Sequence, residues 1–179
     1  MFTQNIRIKN LLIKKKKLDV KKNLKLILNE KSQVIHSLSK TYKDSFSKKN
    51  IKQFNKKFNY RIIGMGGSSL GAQAIYDFLK KKIKKKFIFV DNLIAFENKK
   101  IKKNFNNLII SKSGNTTETI VNTNILIKEK DKNLFITEKK ESYLSLLAKK
   151  IKAEVVDHNN YIGGRYSVLS EVGMLPSEL

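Results

Sequence analysis

The chain has no cysteine, one proline and two histidines in 179 residues. Without cysteine, neither a disulfide framework nor a thiolate metal site can form. His36 and His158 lie far apart in sequence and do not read as an imidazole metal cluster. The proline, Pro176, stands near the end, and low-complexity content is confined to lysine runs. No stretch approaches the twenty or so apolar residues of a membrane span. The apolar patch of the N-terminus is interrupted by Arg7 and Lys9 and is too short for the core of a signal peptide. The expectations are a cytoplasmic protein, no metal, no cofactor and no membrane partner.

Acidic residues are also scarce: 15 against 38 basic ones, a formal charge of +23. Clustered cations bind nucleic-acid backbones by releasing counterions. Three features argue against that partner here. Only Arg7, Arg61 and Arg165 are arginine, the side chain suited to bidentate phosphate and base contacts. The lysine runs at residues 14–17, 80–82 and 84–86 are spread along the chain, and no RNA- or DNA-binding motif accompanies them. Abundant Lys, Asn, Ile and Phe match the amino-acid usage of an AT-rich genome, so the lysines read as solvated faces and no specific nucleic-acid partner is expected.

What the chain does contain is alternation. Beyond residue 60, short apolar runs alternate with longer amphipathic ones, the pattern of a parallel α/β domain. Five strands are predicted at residues 61–63, 87–90, 108–110, 134–136 and 154–156, each apolar or β-branched throughout, as in strands covered on both faces. Helices are predicted at 69–82, near 98–104, at 116–130 and at 142–152. Right-handed crossovers then give a three-layer αβα sandwich on a five-stranded parallel sheet. One or two amphipathic helices are expected within residues 24–46, and a loop or short helix at 47–57. Residues 1–57 thus read as a helical cover and residues 58–179 as the α/β domain itself.

Three segments carry chemistry. Ser111 to Thr119 reads SKSGNTTET immediately after a predicted strand. Its hydroxyls donate hydrogen bonds, Gly114 permits close backbone approach, and a helix opening there directs unpaired N–H groups at the same spot, so a phosphate is the natural guest. Lys112 adds positive charge nearby, and Glu118 is placed to cap the helix. The competing reading is an ST-rich capped turn without a ligand. GMGGSSLG, residues 64–71, also joins a strand to a helix. Its glycine spacing is close to a dinucleotide fingerprint, with Asp91 as a possible ribose ligand; the competing reading is a tight turn with Ser68 and Ser69 as N-caps. GGRYSVLS, residues 163–170, places Arg165 after a glycine pair, suited to stabilising developing negative charge or, more plainly, to a surface salt bridge.

Together these segments resemble the glucose-6-phosphate isomerase family and, more broadly, the sugar-isomerase (SIS) domain. GMGGSSLG is similar to the family's G-I-G-G-S-x-L-G loop, SKSGNTTET to its S-K-[ST]-x-x-T-x-E-T phosphate loop, and GGRYSVLS to its G-G-R-[FY]-S signature. The GGR segment separates that family from phosphosugar sensors that share the phosphate loop. The resemblance makes residues 58–179 an SIS-like sugar-phosphate-binding domain. It implies that Ser111, Lys112, Ser113 and Thr116 bind the substrate phosphate, that Gly67 and Ser68 line the sugar site, and that Gly164 and Arg165 approach the reacting carbons, Arg165 stabilising a cis-enediolate. It also implies a hexose phosphate substrate, glycolysis and gluconeogenesis as the setting, and a homodimer in the complete protein. In the family, the catalytic glutamate and ring-opening histidine come from segments after GGR. Neither Glu118 nor Glu171 occupies the base position, and neither His36 nor His158 matches a family motif, so a truncated chain is expected, able to bind but not to isomerise. The alternative from another class is a stand-alone SIS regulator without catalysis.

Overall fold

A computed structural model of the protein describes residues 19–55, 59–93, 105–128 and 131–179. Its centre is a five-stranded sheet formed by β1 (Asn59–Ile63), β2 (Lys86–Val90), β3 (Asn106–Ile110), β4 (Lys132–Thr137) and β5 (Glu154–Asp157). The strands lie in the order β2-β1-β3-β4-β5, and every pairing is parallel. Parallel neighbours require crossovers, which the sequence supplies as α4 (Gly67–Leu79), α5 (Thr117–Leu126) and α6 (Tyr143–Lys150), preceded by α1 (Val20–Leu28), α2 (Gln33–His36) and α3 (Lys48–Phe54). The chain closes with a 3-10 helix, Gly164–Leu169, and α7 (Glu171–Glu178). The predicted α/β sandwich is the observed fold.

Register explains why the strands read as continuous apolar runs. Ile62 pairs with Leu108 and Leu108 with Leu134, while Ile63 pairs with Ile109 and Ile109 with Phe135. Successive residues point to opposite faces. The first set joins Tyr60, Ala72, Ile136, Val156, Val172 and Leu175 in one core, and the second joins Val90, Leu144 and Ala148 in another. Burying each Leu, Ile or Phe contributes about 1.5–3 kcal/mol before the opposing chain entropy is subtracted.

The elements differ from expectation mainly at their ends. α4 begins two residues earlier than predicted and stops at Leu79, so Lys80 to Lys82 fall in a turn. α5 stops at Leu126, with Ile127 in extended conformation. The predicted helix near 98–104 lies outside the described residues. α3 is the helical option offered for 47–57, and Phe46, Ile51 and Phe54 pack on the first core. α1 forms as an amphipathic helix capped by Asp19, yet it buries none of its residues, and Leu24, Ile27 and Leu28 are exposed. α7 has no counterpart among the predicted helices. It carries Pro176 inside a helix, where the missing N–H costs a hydrogen bond, and it buries Val172, Leu175 and Pro176. No helix among the described residues is long and apolar enough to cross a membrane.

Candidate functional site

Strand order decides where a ligand can sit. β1 is flanked by β2 and β3, so the connections after β1 and β3 depart in opposite directions and leave a crevice at the carboxyl ends of these strands. The turns bordering that crevice are residues 64–66 and 111–116, the two polar turns singled out by sequence.

The first turn continues the sheet, since Gly64 N–H donates to the Val90 carbonyl at 3.1 Å. Gly66 has φ of 56°, in the left-handed region that a glycine enters without penalty. α4 then starts with no side-chain cap on its first N–H groups, because Gly66 occupies the N-cap. Ser69 is buried, its hydroxyl donating to the Gly66 carbonyl at 3.3 Å, whereas Ser68 is half-buried at the crevice turn.

The second turn is stiffer. Ser111 is buried, its N–H donates to the Ile136 carbonyl at 3.0 Å, and its hydroxyl lies 3.0 Å from that of Thr116. Ser113 accepts from Asn115 N–H at 3.2 Å and remains exposed. Gly114 has φ of 68°, and a Cβ there would run into the Ser142 hydroxyl. Its carbonyl accepts Leu144 N–H at 3.0 Å, and Asn115 Oδ1 accepts Tyr143 N–H at 2.9 Å, so the start of α6 braces the turn. Thr116 is the N-cap of α5 but makes no side-chain cap hydrogen bond, and Glu118 stands in the first helical turn. Hydroxyls and unpaired N–H groups therefore converge where an anion would be held.

The third segment meets the first. Gly164 follows β5 by several residues, yet a Cβ on Gly67 would collide with the Gly164 carbonyl. Ser167 is buried and donates to the Gly164 carbonyl at 2.7 Å and the Gly67 carbonyl at 3.3 Å. Val168 fills the space that a Cβ on Gly71 would need, with its own Cβ 2.7 Å from that position. Residues 159–170 thus form an arm whose second half, 163–170, is seated on the N-terminal turn of α4, with Gly164, Arg165 and Tyr166 exposed. Gly67, Ser68 and Gly164 are in one place.

Lys112 is not simply a loose cation over the phosphate turn. Its Nζ donates to the carbonyls of Asn160 at 2.7 Å and Ile162 at 2.9 Å, and lies 3.6 Å from Glu138 Oε1. Burial pushes the Glu138 carboxyl up, but Lys140 and Lys112 beside it outweigh this and hold it below its ordinary value. The lysine side chain therefore ties the turn of residues 111–116 to the arm. Sequence reasoning offers no such role, because carbonyls leave no mark in a sequence. Nor does it bring together Tyr42, His158 and Glu171, the last two set aside above as matching no family role: His158 Nδ1 lies 2.5 Å from Glu171 Oε1, and Tyr42 OH donates to Glu171 Oε2 at 3.3 Å.

Asp91 follows β2, half-buried, with Asn92 Nδ2 donating to its Oδ1 at 3.3 Å. A separate cavity of about 430 Å³ lies between α4, β2 and α7, lined mainly by apolar groups such as Ile62, Ala72, Phe87 and Leu179. Its lining lacks the hydroxyl cluster of the crevice, so the crevice is the candidate site. Among the described residues no group of histidine and carboxylate side chains is placed to hold a metal ion.

Comparison with known proteins places this geometry. Glucose-6-phosphate isomerase of Acholeplasma laidlawii is 38% identical over 139 residues, spanning 64% of this chain and 32% of the relative. That of Borreliella burgdorferi is 33% identical over 177 residues, spanning 87% of this chain and 32% of the relative. The chain thus spans about a third of the length of these curated relatives. Among solved structures, a hypothetical protein of Thermus thermophilus aligns with a TM-score of 0.59 at 22% identity over 73% of this chain and 35% of that one. A protein of Escherichia coli aligns at 0.58 and 17% identity over 89% of this chain and 90% of that one, a likeness of fold. The family pattern of phosphoglucose isomerase runs through residues 12–179, across all three turns that meet at the crevice, and the chain belongs to that family.

Proposed function

We propose that this chain is the phosphate-binding part of a glucose-6-phosphate isomerase, which interconverts glucose 6-phosphate and fructose 6-phosphate in glycolysis and gluconeogenesis. The observation that carries the reading is the convergence of two anion-holding turns at the switch point with the arm of Gly164 seated on Gly67. Ser111, Ser113 and Thr116 offer hydroxyls to the phosphate, with the N–H groups opening α5 behind them. Lys112 contributes through its backbone and by holding the arm. Gly67 and Ser68 border the sugar. In the isomerisation a base takes the proton from C2 and the electron pair moves to the carbonyl at C1, giving a cis-enediolate; the proton is then returned to C1 while the O2 hydroxyl proton passes to O1, leaving C2 as the carbonyl. Arg165 stabilises the enediolate charge. The base and the ring-opening histidine are not among the residues assigned a role here. No cofactor enters the reaction. The protein acts in the cytoplasm as a homodimer with no specific nucleic-acid partner, residues 58–179 forming its sugar-phosphate-binding domain and α3 packing on the sheet ahead of it.

Replacing Ser113 and Thr116 together by Ala is expected to weaken glucose 6-phosphate binding by about 1–3 kcal/mol, from lost charge-assisted hydrogen bonds. Titration calorimetry on the wild-type and doubly substituted chains measures this. Equal affinities would remove the turn as the phosphate site. Steep salt dependence of DNA binding, with glucose 6-phosphate ignored, would favour the lysine-rich nucleic-acid reading.

A further inference from the structure

Glu171 opens α7 and is completely buried, and His158, just past β5, is buried beside it. Oε1 receives His158 Nδ1 at 2.5 Å and Asn159 N–H at 3.1 Å. Oε2 accepts Tyr42 OH at 3.3 Å, and Tyr42 in turn receives Asn159 Nδ2 at 2.9 Å. The Ser45 hydroxyl donates to the Asp157 carbonyl, so the N-terminal segment is fastened at a second point. His158 Nε2 is buried without a hydrogen-bond partner. Burial of that unpaired atom costs free energy, which the contact of Nδ1 with Glu171 offsets.

These contacts have one topological consequence. His158 and Asn159 stand where the arm leaves β5, and Glu171 where it returns into α7, so a single carboxylate joins the two ends of residues 159–170. Further out, Lys112 holds the same arm by Asn160 and Ile162. We propose that Glu171, held between His158 and Tyr42, is a positioning residue that closes the neck of this arm and sets where Gly164 and Arg165 stand against Gly67 at the start of α4. The placement of Arg165 at a reacting sugar rests on the function proposed above; closure of the neck does not. Tyr42 makes the N-terminal segment part of the same device.

The neck requires an ionised Glu171. Burial raises its pKa, but the hydrogen bond from His158 and those from the backbone N–H groups of Glu171 and Asn159 outweigh burial and hold the carboxyl below its ordinary value. The other groups acting on this cluster are Tyr42, Tyr161, Asp44 and Glu178. Burial, then the charges of Glu171 and Glu178, raise the pKa of Asp44. A carboxyl with a depressed folded pKa contributes stability that is complete above its unfolded value and lost as pH falls through the folded one. The neck therefore loosens as pH falls through the depressed pKa of Glu171.

Hydrogen exchange on the full 179-residue chain tests this. Glu171→Gln keeps the shape and removes the charge. It is expected to lower protection factors over residues 159–170 by about tenfold or more while β3 and β4 stay protected, since local opening is cheaper than global unfolding. His158→Gln, which retains a donor, is expected to lose less protection than His158→Ala. In the wild type, arm protection falls with acid before sheet protection does, and Glu171→Gln flattens that dependence. A folded Glu171→Gln chain with wild-type arm protection would overturn the proposal. Should Glu171→Gln fail to fold, Tyr42→Phe decides: selective loss of arm protection supports the neck, and none overturns it. Glucose 6-phosphate binding, measured in parallel, separates the two ideas, because a wild-type chain that ignores the sugar phosphate yet shows the exchange pattern keeps the neck and loses the isomerase reading.

Discussion

Gly67→Ala is expected to destabilise the protein by about 1–3 kcal/mol and to unseat the arm that carries Arg165. The added methyl would occupy the position of the Gly164 carbonyl, and backbone cannot swing aside as the tip of a long side chain can. Alanine is the better helix former by up to about 1 kcal/mol, so the sign of the result is a direct contest between propensity and the clash. Gly164→Ala is the control. Its Cβ would meet nothing within 4 Å, so the mirror substitution on the same contact should leave stability near wild type. Thermal unfolding of both variants reads the difference, since about 1 kcal/mol shifts the midpoint by roughly 2–4 °C in a chain of this size. Equal midpoints would mean that the arm is not seated as described. With the arm displaced, glucose 6-phosphate affinity is also expected to fall, although residue 67 offers no side chain to lose.

Arg61→Ala is expected to cost about 2–5 kcal/mol, the largest effect of a single substitution considered for this protein. Arg61 lies in β1 and is buried, its Nη1 donating to the Leu126 carbonyl at 2.9 Å and its guanidinium lying 4.6 Å from the centroid of the Phe105 ring. Burial pulls its pKa down, and the charge of Asp131 offsets part of this. Removal leaves a cavity and an unpaired carbonyl in the last turn of α5, where helix carbonyls lack intrahelical partners. Arg61→Met fills most of the volume but cannot donate, so it should fall between wild type and Ala. Denaturant unfolding gives the order. An Ala variant within about 0.5 kcal/mol of wild type would show that the buried guanidinium contributes little net stability, as replaced buried ions sometimes do. The consequence reaches the crevice, because α5 begins at the polar turn of residues 111–116 and Arg61 anchors its far end.

Much of the fold is legible in the residues alone. The five strands can be read from β-branched and apolar runs because a parallel sheet between two helical layers buries both faces of each strand, as the register through Leu108 and Ile109 illustrates. The polar turn between β3 and α5 is legible for a similar local reason: hydroxyls, a glycine and a following helix lie close together in the chain. α7 is not, since a proline inside a helix removes a backbone donor and only the buried surface on Val172 and Leu175 outweighs that cost. α1 shows the converse, an amphipathic pattern that reads as cover and that buries nothing among the described residues.

By itself the sequence determined the fold class, the two polar turns, and the arginine that follows a glycine pair, because each is written in neighbouring residues. Only the tertiary structure decided what those turns stand against: Gly67 under Gly164, Lys112 on the carbonyls of the arm, and Glu171 reaching His158 and, across 129 residues, Tyr42. Such contacts depend on packing density, on backbone carbonyls that every residue shares, and on a strand order that places distant segments at one edge. No local pattern encodes them, and they are what turn three separate motifs into one site.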